Sequence, residues 1–226
     1  LRVPRGEILG ILGGSGSGKS TVLRHLIGLL RPLSGRVRVL GVDLSRASEE
    51  EFLRISRRSG VLFQGGALFG GMTVGENVGL PLSEFTDLPS EAVREVVRLK
   101  LAQVGLRGAE TMYPAELSGG MRKRAGLARA MALDPDVLFF DEPSSGLDPV
   151  LAADLDRLIL QLRDVLGTTM VVVSHDLDST YAVADRVILL GSEAKGVIAR
   201  GDPRRLASET DDAAVAAFFS RGGFRE

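Results

Sequence analysis

Eight consecutive residues, Gly13, Gly14, Ser15, Gly16, Ser17, Gly18, Lys19 and Ser20, have the composition and spacing of a loop that wraps phosphate groups. Glycines let successive backbone N–H groups turn inward, and a helix starting at the end of the loop adds its positive dipole end. Lys19 is placed to reach the β- and γ-phosphates of a nucleoside triphosphate, and the Ser20 hydroxyl to ligate Mg²⁺. An inert glycine-rich turn is the competing reading. It leaves unexplained the apolar strand before the loop and the helical run Thr21–Leu30 after it. Gly13 to Thr21 are therefore the candidate nucleotide-binding residues.

Two carboxylates, Asp141 and Glu142, follow the apolar run Val137–Phe140. Side chains at successive strand positions diverge, so the two acids can hold separate jobs. Asp141 is assigned to the Mg²⁺ shell, and Glu142 to orienting and polarising the attacking water as general base. A solvated pair of acids is the bland alternative. His175 ends another apolar run, Met170–Val173, after Ser174, at the same end of a parallel sheet, where it can hydrogen-bond a γ-phosphate. Gln64 follows Val61–Phe63 and is a candidate for sensing Mg²⁺ or the water. His25, inside the helical run, reads as structural.

These residues need a parallel sheet to gather them. Ile8–Leu12, Val137–Phe140 and Met170–Val173 are apolar on both faces, as buried parallel strands are, with Val61–Phe63 and Val187–Leu190 as weaker members. Between them, Leu151, Leu155, Leu158, Ile159, Leu162 and Leu166 recur at helical spacing, with Asp148 as N-cap, Pro149 at the first turn and Gly167 beyond the end. Strands alternating with such helices define an α/β core with a mostly parallel sheet. Arg36–Leu40 alternates like a half-exposed antiparallel strand. From Met72 to Leu133 no strand is evident; Val93, Val96, Val97, Leu101 and Val104 mark an amphipathic helix closed by Gly105 within an inserted helical subdomain. The expected division is a core over 1–71 and 134–207, a helical subdomain over 72–133 and a C-terminal appendage over 208–226. In that appendage Val215, Phe218 and Phe219 share one helical face before Gly222-Gly223, so the segment either docks on another protein or folds back on its own domain.

Composition narrows the field. The 226 residues are 44% hydrophobic, enough for a sizeable core, and the net charge of −1 gives no electrostatic footprint for nucleic acid. Cysteine is absent, which excludes disulfides and thiolate metal sites. No apolar run approaches the ~20 residues of a membrane span, so a soluble protein is expected, resting against a membrane only through a partner. The first residue is Leu1 rather than Met, and the natural start is expected to lie upstream.

With Leu117-Ser118-Gly119-Gly120-Met121 and Ser145-Gly146-Leu147-Asp148 added, the order of motifs resembles the full series of an ABC transporter nucleotide-binding domain: Gly13–Ser20, Gln64, Leu117–Met121, Asp141-Glu142, Asp148 and His175. The likeness covers nearly the whole chain. It implies a RecA-like phosphate-loop NTPase core, ATP and Mg²⁺ as cofactors, and ATP hydrolysis. It also implies that Ser118, Gly119 and Gly120 contact the γ-phosphate held by a second copy, in a head-to-tail homodimer whose interface Leu147-Asp148 crosses. Within the family the chain is similar to the Mla/Mce-type lipid transporter ATPases, through Val61-Leu62-Phe63-Gln64, Ala67-Leu68-Phe69, Met72-Thr73-Val74, Glu76-Asn77-Val78 and the signature with Arg122, Arg124 and Ala125. That likeness implies phospholipid transport through a separate membrane permease, with STAS-domain and MCE-domain proteins as further partners. It implies a peripheral position on the cytoplasmic face of a bacterial inner membrane.

The chain departs from the family at two points. Met121 stands where glutamine is usual, while the phosphate-facing Ser118 and Gly119 are kept. The family's adenine-stacking aromatic precedes the loop, and Leu1–Glu7 contain none, so weaker ATP binding is expected. Chromosome-maintenance and DNA-repair ATPases share the motifs but carry a long coiled coil before the signature, and no sustained heptads occur here. Tandem translation-factor ATPases carry two phosphate loops, against one here. A non-hydrolysing regulatory subunit is disfavoured by the presence of Lys19, Asp141, Glu142 and His175 together. An importer or exporter for amino acids, metals or drugs is the alternative within the family.

Overall fold

The computed structural model describes residues 1–220. The chain divides into two compact units, one formed by Leu1–Leu30 with the chain from Phe140 onward, the other by Arg31–Phe139.

The first unit is built on β1 (Ile8–Gly13), every residue of which is buried. β1 pairs in parallel with β6 (Thr169–Val173) on one side, Ile8 opposite Met170, and with β7 (Arg186–Gly191) on the other, Leu9 opposite Arg186. Burial on both faces explains why these runs carry no polar alternation. β8 (Gly196–Gly201) adds an antiparallel edge to β7. The helices of this unit are α1 (Lys19–Leu26), α6 (Pro149–Leu166), α7 (Leu177–Val183), α8 (Pro203–Glu209) and α9 (Ala213–Ser220). α6 has the expected ends: Asp148 accepts from the Val150 and Leu151 N–H groups at 3.0 Å each, and Gly167 closes the helix in the left-handed conformation. α1 stops at Leu26, short of the expected Leu30, because the chain turns through left-handed Gly28 (φ 77°).

α9 folds back on its own domain, the second of the two alternatives for this segment. Val215 and Phe219 are buried with Leu12, Leu177, Val187 and Leu189, and Phe218 packs edge-on against Phe219 at 5.5 Å. Gly222-Gly223 lie outside the described residues.

The second unit carries a two-stranded hairpin, β2 (Arg38–Val39) and β3 (Val42–Asp43), then α2 (Glu49–Arg57) and β4 (Ser59–Leu62). The antiparallel strand expected over 36–40 is shorter than that alternation suggests. Leu40 (φ 49°) and Gly41 (φ 86°) are both left-handed and form the hairpin's tip, as a two-residue turn of the type favoured between twisted strands requires. From Met72 onward the unit is helical: α3 (Val74–Phe85), α4 (Ser90–Gln103), a 3₁₀ turn at Pro114–Glu116 and α5 (Gly119–Ala130). α3 packs against both α4 and α5, burying Val74, Val78, Leu82, Val97 and Leu101. β5 (Val137–Asp141) carries the chain back into the first unit. No helix among the described residues is long and apolar enough to cross a membrane.

Candidate functional site

The phosphate loop is the connection from β1 to α1. Gly13 ends the strand at φ 154°, and a Cβ there would lie 2.4 Å from Ser17 Oγ and 2.7 Å from the Leu190 carbonyl oxygen. Only glycine lets the loop fold so tightly over the sheet. The Ser17 N–H donates to the Gly14 carbonyl at 3.3 Å. Lys19 Nζ donates to the carbonyls of Gly13 (2.8 Å) and Gly14 (3.1 Å), so its ammonium lies across the loop. Above Gly14, Gly16 and Gly18 there is open space within 4 Å of any added Cβ. Gly18 provides no side-chain cap, and the first helical N–H to reach a loop carbonyl is that of Val22, 2.9 Å from Gly18 O. The first-turn amides of Lys19, Ser20 and Thr21 are thus available to an anion, beside a cation and under open space. The donor set fits a polyphosphate.

Asp141 is the last residue of β5. Partial burial pushes its carboxyl above the ordinary carboxylate range, while the positive charges of Arg24 and Lys19 pull it back. That cationic neighbourhood associates Asp141 electrostatically with the phosphate loop. Glu142 leaves the strand in the left-handed region (φ 53°), a conformation costing a non-glycine residue roughly 1–2 kcal/mol. Its N–H donates to the Val173 carbonyl at 2.9 Å, which holds the bend in place. The bend separates the two acids, as separate roles require. The Glu142 side chain is 15% exposed, and its Oε2 meets His175 Nδ1. His175 lies between the end of β6 and α7, on a segment fixed on both sides: the Asp176 N–H donates to buried Ser174 Oγ at 2.9 Å, and the Asp176 carboxylate caps α7. His25 Nδ1 donates to the Leu30 carbonyl (2.9 Å), the structural role expected of it.

Support for the His175 segment comes from a pair that the sequence did not advertise. Asp156 on α6 accepts from the Ser179 hydroxyl on α7 at both carboxylate oxygens, 2.7 and 2.6 Å, and both residues are only 6% exposed. Burial pushes the Asp156 carboxyl up, the Ser179 hydrogen bond opposes that, and the nearby Asp176 charge adds to it.

The first unit therefore brings together Gly13 to Thr21, Asp141, Glu142 and His175, with Asp148 at the exposed N-terminus of α6. In the second unit, Ser118 caps α5, accepting from the Met121 N–H at 3.2 Å, with Gly119 and Gly120 as the first helical residues. Gln64 lies in the exposed turn after β4. This arrangement defines a phosphate-loop NTPase with paired acids and a histidine at the strand ends.

Residues 1–145 match the family model described as ABC transporter. The chain is 43% identical over 211 residues to the intermembrane phospholipid transport system ATP-binding protein MlaF of Haemophilus influenzae, covering 93% of this chain and 79% of that one. The Escherichia coli K12 protein of the same name is 44% identical over the same length. The probable ribonucleotide transport ATP-binding protein mkl of Mycobacterium tuberculosis is 43% identical over 220 residues, covering 97% of this chain and 60% of that one. A dimeric post-hydrolysis structure of the ATP-binding cassette MJ0796 with ADP and Pi superposes with a TM-score of 0.82 at 31% identity, covering 90% of this chain and 88% of that one. The chain belongs to the ABC transporter family. It is an ATPase subunit of that family, with the fold of an ABC cassette.

Proposed function

We propose that this subunit powers the movement of phospholipid through a separate membrane permease. The observation that carries the proposal is the 43% identity, over 93% of the chain, to a relative named for intermembrane phospholipid transport. ATP supplies the phosphoanhydride bond that is cleaved, with Mg²⁺ held by Ser20, Asp141 and Gln64. The backbone of Gly13 to Thr21 and Lys19 binds and neutralises the phosphates. Glu142 takes the proton of the attacking water, and its burial and left-handed bend hold the carboxylate in one place. His175, which meets Glu142, is assigned the contact to the γ-phosphate once nucleotide is bound. Ser118, Gly119 and Gly120 of a second copy complete the site across a head-to-tail homodimer, with Asp148 at the seam; the dimeric cassette relative supports that assembly.

The permease is expected to seat a short helix on the helical subdomain over 72–133, beside Gln64 and the Gly65–Glu76 stretch. Phe69 is 54% exposed there, and a cavity of about 740 Å³ opens between α3 and α4, floored by Met72, Leu80, Val93 and Val97. The subunit then works at the cytoplasmic face of the inner membrane, with STAS-domain and MCE-domain proteins as further partners. Phe69→Asp tests the docking, and is expected to abolish stimulation of ATPase activity by the permease while leaving ATP binding intact. The substrate is tested on the assembled complex in lipid nanodiscs. Stimulation by phospholipid is expected; stimulation by ribonucleotides, amino acids, metals or drugs without any response to phospholipid refutes the lipid reading.

A further inference from the structure

Gln64 belongs to a tight turn, closed by the Gly66 N–H donating to the Phe63 carbonyl at 2.8 Å. The two residues that follow are both left-handed: Gly66 at φ 77°, where glycine is at ease, and Ala67 at φ 49°, where a side chain is strained. Such a backbone persists only where its surroundings over-determine it. Prominent among those surroundings is one guanidinium. Arg129, in the last turn of α5, donates from Nη1 to the Ala67 carbonyl at 2.8 Å and from Nη2 to the Gly66 carbonyl at 3.0 Å. Its carbon lies 5.8 Å from the centre of the Phe69 ring. Burial pulls its pKa down from the ordinary arginine value.

The helix and the loop also touch through glycine. A Cβ on Gly126 would meet the Gly66 carbonyl oxygen at 2.9 Å, and one on Gly66 would meet the Arg122 carbonyl oxygen at 2.9 Å. The far end of the loop is fixed independently. Fully buried Asn77 accepts from the Phe69 N–H at 2.8 Å and donates to the carbonyls of Phe69, Met72 and Thr73. The loop is therefore anchored to α3 through Asn77 and to α5, which Ser118 caps, through Arg129.

We propose that Arg129 is a positioning residue for ATP hydrolysis: from the helix that Ser118 caps, its fork holds the strained Gly66–Ala67 backbone and so sets Gln64 and Phe69 together. The proposal rests on the role given to Gln64 above. The guanidinium fork reaches both carbonyls from one rigid plane, a fixed geometry that a flexible lysine ammonium does not reproduce.

The test is steady-state ATP hydrolysis by the full chain with its permease, for Arg129→Lys, Ala67→Gly, the double variant and Gln64→Ala. Arg129→Lys is expected to lower kcat on the order of 10–10²-fold with KM for ATP within about two-fold, the signature of a misplaced group. Because glycine adopts the left-handed conformation freely, Ala67→Gly in the lysine background should recover several-fold of the lost kcat. A wild-type kcat in Arg129→Lys overturns the proposal, as does a loss that Ala67→Gly does not recover. Should Arg129→Lys not fold, Gly126→Ala is read instead: it favours the helix but displaces the Gly66 carbonyl, and a wild-type kcat there overturns the proposal equally. Gln64→Ala separates the two claims. If it turns over like the wild type, the role of Gln64 fails and takes the positioning role of Arg129 with it, whereas an impaired Gln64→Ala beside a wild-type Arg129→Lys overturns the Arg129 proposal alone.

Discussion

Replacing Ser179 by alanine removes the one hydroxyl that meets both oxygens of the Asp156 carboxylate, at 2.7 and 2.6 Å. At 6% exposure, water has little access to make good the loss. A buried charged group deprived of its partner costs about 2 kcal/mol. For a domain of this size that is a fall in Tm of roughly 4–8 °C. The pH dependence is fixed in sign. Burial raises the Asp156 carboxyl above its unfolded value, so the native state binds this proton the more tightly, and stability falls as pH rises through the native pKa. Ser179 opposes that rise by stabilising the charged form, so its removal costs most above the native pKa and progressively less as pH falls below it. Asp156→Asn makes the complementary case. It keeps an oxygen for the Ser179 hydroxyl, discards the charge and should be nearly neutral at pH 7.5. Thermal unfolding followed by circular dichroism at pH 7.5 and pH 5 measures both variants. A silent Ser179→Ala at pH 7.5, or equal destabilisation by the two variants, would refute the account of a buried carboxylate held by a single hydroxyl.

Glu142→Gln keeps the shape but loses the basicity, so turnover should drop on the order of 10²–10⁴-fold while ATP binding, followed with a fluorescent analogue, persists. Because one chain carries one phosphate loop and one signature segment, hydrolysis per subunit should rise with concentration or on assembly with the permease, and a constant rate from a monomer verified by sedimentation would exclude the shared site. Phe219→Ala removes a ring packed against Tyr181 and Phe218 in the first unit's core, and should cost about 3 kcal/mol, seen as a Tm lower by roughly 6–12 °C.

The parts of the fold that the sequence made legible are those whose local pattern and tertiary role agree. β1, β5, β6 and β7 are buried on both faces, and their apolar runs leave no other place for them. Asp148, Pro149 and Gly167 bracket α6 because start and stop signals are short-range chemistry. β8 carries no such mark: it is a half-exposed edge between glycines, with too little apolar periodicity to read as a strand. α2 also went unread, although Ser48 and Glu51 form a reciprocal capping box that was available as a signal. In the site, the residues of the phosphate loop and the strand ends were readable because their chemistry is carried by contiguous motifs. Arg129 and the Asp156–Ser179 pair were not. Their partners lie 62 or 63 and 23 residues away, and an arginine or an aspartate on a helix carries no mark of whether it faces solvent or a carbonyl.

The cluster beneath the phosphate loop has a consequence for how the molecule comes into being. Leu12, the residue before Gly13, shares a buried cluster with Val215 and Phe219, and β1 pairs with strands that begin at Thr169 and Arg186. The strand that feeds the nucleotide loop thus precedes all of these partners in the chain. On the ribosome it waits, apolar and unpaired, until β6 and β7 have emerged, a long-range closure of the kind that folds slowly and exposes edges to aggregation. A stalled or clipped product lacking α9 leaves the floor under the loop open. Competence to hold a nucleotide and the full burial of β1 therefore both wait on segments far downstream of the loop, and a subunit truncated before Val215 should be presented to chaperones and proteases rather than to a permease.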